Sequence, residues 1–130
     1  MLHRILLTLT ALLLVTPPAH AGQAARYVRT IDGDTIIVNI QGWPEIIGHE
    51  IPIRLAACDT PELNDPDPEI RQTAQKAANF TRATLESAET LELRDMQRGK
   101  YFRIVCRVIV DGKDLSSTLI YKQLATPLPN

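Results

Sequence analysis

"ARYVRTIDGDTIIVNI", residues 25–40, sets two runs rich in β-branched residues on either side of an Asp-Gly-Asp turn. The alternation within "ARYVRTI" and "TIIVNI" is that of half-buried strands, and a glycine between them lets the chain reverse. A tight turn explains Gly33 and one aspartate, but Asp32 and Asp34 together, followed by Thr35, exceed what a turn needs. A third run, "EIPIRLAAC" (50–58), follows the Gly- and Pro-containing connection "QGWPEIIGH" (41–49), so the three read as an antiparallel meander.

Beyond it the pattern changes to a helix. Asp67 is placed to cap the first turn, Pro68 suits the first helical position and Glu69 favours the positive end of the helix dipole. Ile70, Ala74, Ala77, Thr81 and Leu85 then recur at three-to-four spacing, which predicts one amphipathic helix. Asn79-Phe80-Thr81 matches a glycosylation sequon but falls mid-helix, and we read it as chance. Two further strands, "TLELRDM" (90–96) and "YFRIVCRVIV" (101–110), are joined by "QRGK"; Asp111-Gly112 closes the second, and Asp114 opens a short helix, "LSSTLIYKQLA", that Pro127 and Pro129 terminate. The order β-β-β-α-β-β-α describes an α+β, mainly β domain: a five-stranded OB-fold barrel with a helix after strand 3 and a C-terminal helix. A plain α+β sandwich has the same order.

The first 21 residues read as a secretory signal peptide, with Arg4, an apolar run of about 11 residues from Ile5 to Val15, two prolines and Ala19-His20-Ala21. The run is shorter than the roughly 20 residues needed to cross a bilayer, so we expect cleavage after Ala21, a single domain over residues 22–130, a secreted or periplasmic location and no stable membrane association afterwards. Residues 1–21 carry Arg4 and no acid, so the 14 basic and 15 acidic residues become 13 and 15, a formal charge of −2. Attraction to a polyanion must then come from a local basic cluster or a bound cation. Cys58 and Cys106 lie in apolar stretches, either as a disulfide in an oxidising compartment or as two buried thiols. No Cys/His spacing suits zinc, and His49 alone remains for histidine chemistry, which argues against a His-based triad. Nothing in a small single domain calls for a partner chain, and a monomer is expected.

Three charged blocks carry chemistry together. Asp34 and Asp59 are hard oxygen ligands suited to calcium, to which the carbonyl near Thr60 adds a third. Arg54, within an apolar strand, and Arg103, in "RGKYFRIVCR", are suited to grip phosphate oxygens and neutralise charge on a five-coordinate phosphorus. Glu62 is left to orient or deprotonate an attacking water.

The blocks "IDGDT", "IRLAACDTPE" and "KYFR" leading into "VIVDGKDL", spread from about Tyr27 to Ala125, resemble the staphylococcal nuclease (thermonuclease) family. The resemblance implies an OB-type barrel and calcium-dependent hydrolysis of DNA and RNA at the bond to the 5′ oxygen, leaving 3′-phosphate ends. It places the calcium carboxylates on Asp34 and Asp59 with the carbonyl of Thr60, a supporting acid on Asp32, the phosphate-binding arginines on Arg54 and Arg103, the water-handling glutamate on Glu62, and the substrate-contacting pair on Lys100 and Tyr101. Phe102 stands where the family commonly has glycine, a residue that suits a positive φ, just before Arg103; Gln123 stands where a glycine usually ends the late helix. The tyrosines and last helix of the staphylococcal enzyme fall past Asn130, so no base-stacking platform is expected from them. A catalytically silent OB-fold module that binds nucleic acid is the alternative, although binding alone has no need of Asp34, Asp59, Glu62 and two arginines together. A structural calcium-binding protein leaves Arg54 and Arg103 without a purpose.

Overall fold

The computed structural model describes residues 22–129; the predicted leader with its cleavage point after Ala21 lies outside the described residues, as does Asn130. Strands β1 (Gln23–Asp32) and β2 (Thr35–Ile40) pair antiparallel, with Asp32 opposite Thr35 across the Gly33-Asp34 loop. A short helix α1 (Glu45–Gly48) occupies the connection to β3 (Ile51–Leu55), which returns along β2 with Arg54 opposite Thr35. The two-residue strand β4 (Cys58–Asp59) and helix α2 (Pro68–Glu86) follow, then β5 (Leu91–Arg98), a 3-10 turn at Lys100–Phe102, and β6 (Ile104–Val110). β7 (Lys113–Asp114), α3 (Leu115–Tyr121) and β8 (Thr126–Pro127) complete the described chain.

β1 pairs with β5 and β5 with β6, and β6 then runs parallel to β3 with Ile53, Arg54 and Leu55 beside Ile104, Val105 and Cys106. That last pairing joins the ends of the sheet into the closed five-stranded OB-type barrel, with the helix after its third strand, and removes the sandwich alternative. Ile36, Val38, Ile53, Leu55, Leu93 and Val108 fill it with almost no exposure, and Leu115 and Leu119 of α3 seal one end. Cys58 and Cys106 are buried free thiols, so the disulfide reading is not realised. Burial raises the Cys58 thiol pKa and pushes that of Cys106 up to about 12, so both remain protonated at neutral pH.

Helix α2 begins as the sequence requires: Asp67 caps it by accepting the Glu69 amide, and Pro68 stands at its start. Ala74, Ala77, Ala78, Thr81 and Leu85 are buried against the barrel, whereas Ile70 is 39% exposed and belongs to the solvent side, one turn before the helix meets β1. The predicted "QRGK" turn lies later than expected, because Gln97 and Arg98 still pair in β5 and the reversal falls on Gly99–Arg103. Among the described residues, no helix is long and apolar enough to cross a membrane.

Candidate active site

The β1–β2 turn meets the end of β3 at a cluster of charges. Asp34 is 4% exposed, yet both of its carboxylate oxygens are satisfied: Oδ1 accepts from the Thr35 hydroxyl at 3.2 Å, and Oδ2 accepts from the Thr60 amide at 2.8 Å and pairs with the Arg54 guanidinium. The other arm of that guanidinium reaches Asp59 Oδ1 at 2.6 Å, so one arginine bridges both carboxylates. Burying an aspartate alone is costly, and this pairing offsets that cost. Asp32 works one step away, where its Oδ1 accepts the Asp34 amide at 3.1 Å and holds the turn.

Gly33 matters for a reason other than chain reversal. Its φ is not in the left-handed region, but a Cβ on it would stand 2.7 Å from Thr60 Cγ2 and 2.8 Å from Ala77 Cβ. Its carbonyl also accepts a 2.7 Å hydrogen bond from the wholly buried Thr81 hydroxyl of α2. Helix α2 therefore presses on the turn from outside and fixes where Asp34 points.

Asp59 is half exposed, and β4 holds its backbone against Thr126 of β8. Glu62 follows three residues later on an exposed segment, its carboxylate making no hydrogen bond or ion pair with the described residues. Arg103 is placed otherwise. The β3–β6 register sets Val105 beside Arg54, and Arg103, two residues earlier, forms no ion pair with Asp34 or Asp59. Its Nε is buried without a partner, and it lines a cleft of about 370 Å³ with Trp43, Ile47, Met96 and Phe102. Lys100 and Tyr101 are exposed on the turn just before it, and Tyr101 and Phe102 have φ of 56° and 61°.

The sequence pattern described as staphylococcal nuclease homologue matches residues 52–128, more than half of the chain, including Arg54, Asp59, Glu62 and Arg103. The chain belongs to the staphylococcal nuclease family. The matched span begins after the Asp32–Thr35 turn, and it is the Arg54 bridge that ties Asp34 to it. Similar proteins include the thermonuclease of Staphylococcus intermedius (33% identical over 105 residues, 80% of this chain and 59% of that protein) and that of Staphylococcus hyicus (28% over 102 residues, 78% and 56%). Endonuclease YncB of Bacillus subtilis (strain 168) is 32% identical over 99 residues, 75% of this chain and 44% of that protein. The chain spans about half the length of the curated relatives it matches.

For a family member, the structure joins four of the predicted site residues directly, Asp32, Asp34, Arg54 and Asp59, with the Thr60 amide as a fifth partner. It leaves Arg103, Lys100 and Tyr101 on a separate turn. Sequence reasoning missed Thr81 as the residue that anchors the turn, and the only signal was a threonine inside an otherwise apolar helical stripe. Among the described residues, no three His, Cys, Asp or Glu side chains gather as a ready-made metal cage. Two carboxylates nonetheless converge on one cationic group, the Arg54 guanidinium.

Proposed function

We propose that the chain is a calcium-dependent nuclease that hydrolyses phosphodiester bonds of DNA and RNA, exported through its leader and acting as a monomer in the periplasm or outside the cell. The observation that carries the reading is the bridge of Asp34 and Asp59 by Arg54 beside the Thr60 amide. Family membership supports it, as do the printed names of the relatives, thermonuclease and endonuclease.

Asp34 and Asp59, with the carbonyl of Thr60, would hold the calcium ion, which when bound adds positive charge beside the phosphate and raises the acidity of water. Arg54 is the cation that the two carboxylates keep in place when no other is at hand. Its fork then turns to the phosphate, where its fixed charge offsets the extra negative charge of the five-coordinate phosphorus. Arg103 approaches the same phosphate from the β5–β6 turn, and its unpartnered Nε gains an acceptor by doing so; a buried donor left without one costs about 1–3 kcal/mol. Glu62, exposed and unpaired, accepts the proton of the attacking water as the new P–O bond forms and the bond to the 5′ oxygen breaks, leaving a 3′-phosphate and a 5′-hydroxyl that takes its proton from solvent water. Lys100 and Tyr101, exposed on the same turn as Arg103, would touch the substrate backbone.

Digestion of plasmid and single-stranded DNA and of RNA by residues 22–130 tests this directly. Cutting in millimolar calcium that stops with chelator is the expected result; no cutting, or cutting undiminished by chelator, overturns it. N-terminal sequencing of the exported protein should begin at Gly22.

A further inference from the structure

The cleft that Arg103 lines lies between the β2–β3 connection and the β5–β6 turn. Its apolar surface is unusually open to solvent. Ile46 is 92% exposed, Phe102 86%, Ile47 53%, Met96 37% and Trp43 36%, all in one groove. Leaving such a patch bare disfavours the free protein and marks a surface made to be covered. Arg98 and Arg103 are the charged residues of its lining, and no carboxylate faces it.

We infer that this groove holds a nucleobase of the substrate strand next to the phosphate gripped by Arg103, a reading that rests on the nuclease function proposed above. Three observations favour a nucleotide over other occupants. A cleft of about 370 Å³ lies within the roughly 300–1,000 Å³ range of small-ligand sites, and a flat base suits walls of indole, phenyl, thioether and branched aliphatic groups. Two arginines without an acid complement a polyanion. A second copy of this chain docking by the same face would bring the arginines of both copies toward one another, which charge opposes. Finally, Arg103 lines the groove and stands two residues before Val105, the β6 partner of Arg54, so a base in the groove would have its own phosphate within reach of Arg103. The β2–β3 connection, with Trp43 and the α1 isoleucines, then supplies a stacking surface.

Trp43 is the sole tryptophan of the chain, which makes it a reporter of its own groove. The test is titration of the protein, in chelator to spare the strand, with a single-stranded thymidine octanucleotide and with an abasic octamer carrying the same phosphates. Strand integrity is verified on a gel. Saturable quenching by the thymidine octamer alone is expected, with Ile46→Ser raising Kd at least about fivefold, since a stacked base contributes about 1–3 kcal/mol. Ile46 is nearly free of packing, so its replacement leaves folding intact. Equal quenching by the abasic strand, unchanged affinity in Ile46→Ser, or a dimer that Ile46→Ser converts to monomer overturns the inference. If the protein cuts DNA while Trp43 emission stays constant, the groove assignment falls alone. If it neither cuts nor binds, the nuclease reading falls with it.

Discussion

At the β1–β2 turn both oxygens of the Asp34 carboxylate have partners, and helix α2 bears on the neighbouring glycine through Thr81 and Ala77; at the β5–β6 turn Tyr101 and Phe102 stand about 85% exposed on left-handed backbone. In the proposed nuclease the first turn would hold the groups that meet a cation, and the second the arginine, lysine and aromatic rings that follow a flexible strand. Preorganisation would then be concentrated where charge has to be focused, and adaptability where the substrate varies.

The largest expected effect separates chemistry from architecture. Glu62→Gln should lower kcat by about 10²–10⁴-fold while leaving the unfolding midpoint where it was, because the side chain is exposed and unpaired. Equal rates would remove Glu62 from the mechanism. Asp34→Asn should lower the rate by about 10²–10³-fold and the unfolding midpoint too, since Arg54 loses its buried partner. Asp32→Asn should weaken both by less, because the amide oxygen still accepts the Asp34 N–H. A stable Asp34→Asn variant would show that the fixed turn is held by α2 and not by the ion pair.

Gly33→Ala tests the helix side of the same turn. Its methyl group would meet Thr60 Cγ2 and Ala77 Cβ at under 3 Å, and overpacking of this kind costs about 1–3 kcal/mol. Chemical denaturation should show that loss together with lower activity, because the turn moves with the clash. Full activity at reduced stability would mean that Asp34 finds its place without the helix.

The unequal legibility of the two turns in the sequence has a physical cause. Asp34, Arg54 and Asp59 stand in short blocks whose residue types are dictated by charge, and Asp67-Pro68 marks the start of α2 through local capping rules. The Thr81 bond to Gly33 spans 48 residues, and a threonine in an apolar helical stripe does not say which distant carbonyl it meets. Helix periodicity likewise assigned Ile70 to the buried stripe, although the barrel surface under α2 begins only at Ala74. A glycine in a turn suggests conformational freedom, its commoner use, whereas at Gly33 a close approach by the helix is what excludes a side chain. α1 and the β4–β8 pair are too short for periodicity to register.

The adaptable turn can be probed through its strain. Phe102 has a φ of 61°, and holding a non-glycine residue there costs roughly 1–2 kcal/mol. Phe102→Gly should raise stability by about that much without lowering kcat, yet raise KM if the ring covers a base. Stability and KM both unmoved would mean that the loop adjusts freely and the phenyl ring touches nothing that binds.

Gln123 carries the same backbone conformation far from that loop, with a φ of 60° after the end of α3. The Leu124 amide bonds to the Leu119 carbonyl at 2.9 Å and the Gln123 amide to the Ile120 carbonyl at 2.9 Å, the paired pattern that closes a helix around a left-handed residue. Since these bonds are backbone to backbone, Gln123→Gly keeps them and removes the Cβ penalty, for a gain of about 1 kcal/mol. An equal gain from Phe102→Gly and Gln123→Gly in thermal unfolding would show the strain at Phe102 to be ordinary backbone cost. A much smaller gain at Phe102 would mean that the β5–β6 turn already relaxes in solution, which sharpens its contrast with the braced turn at Gly33.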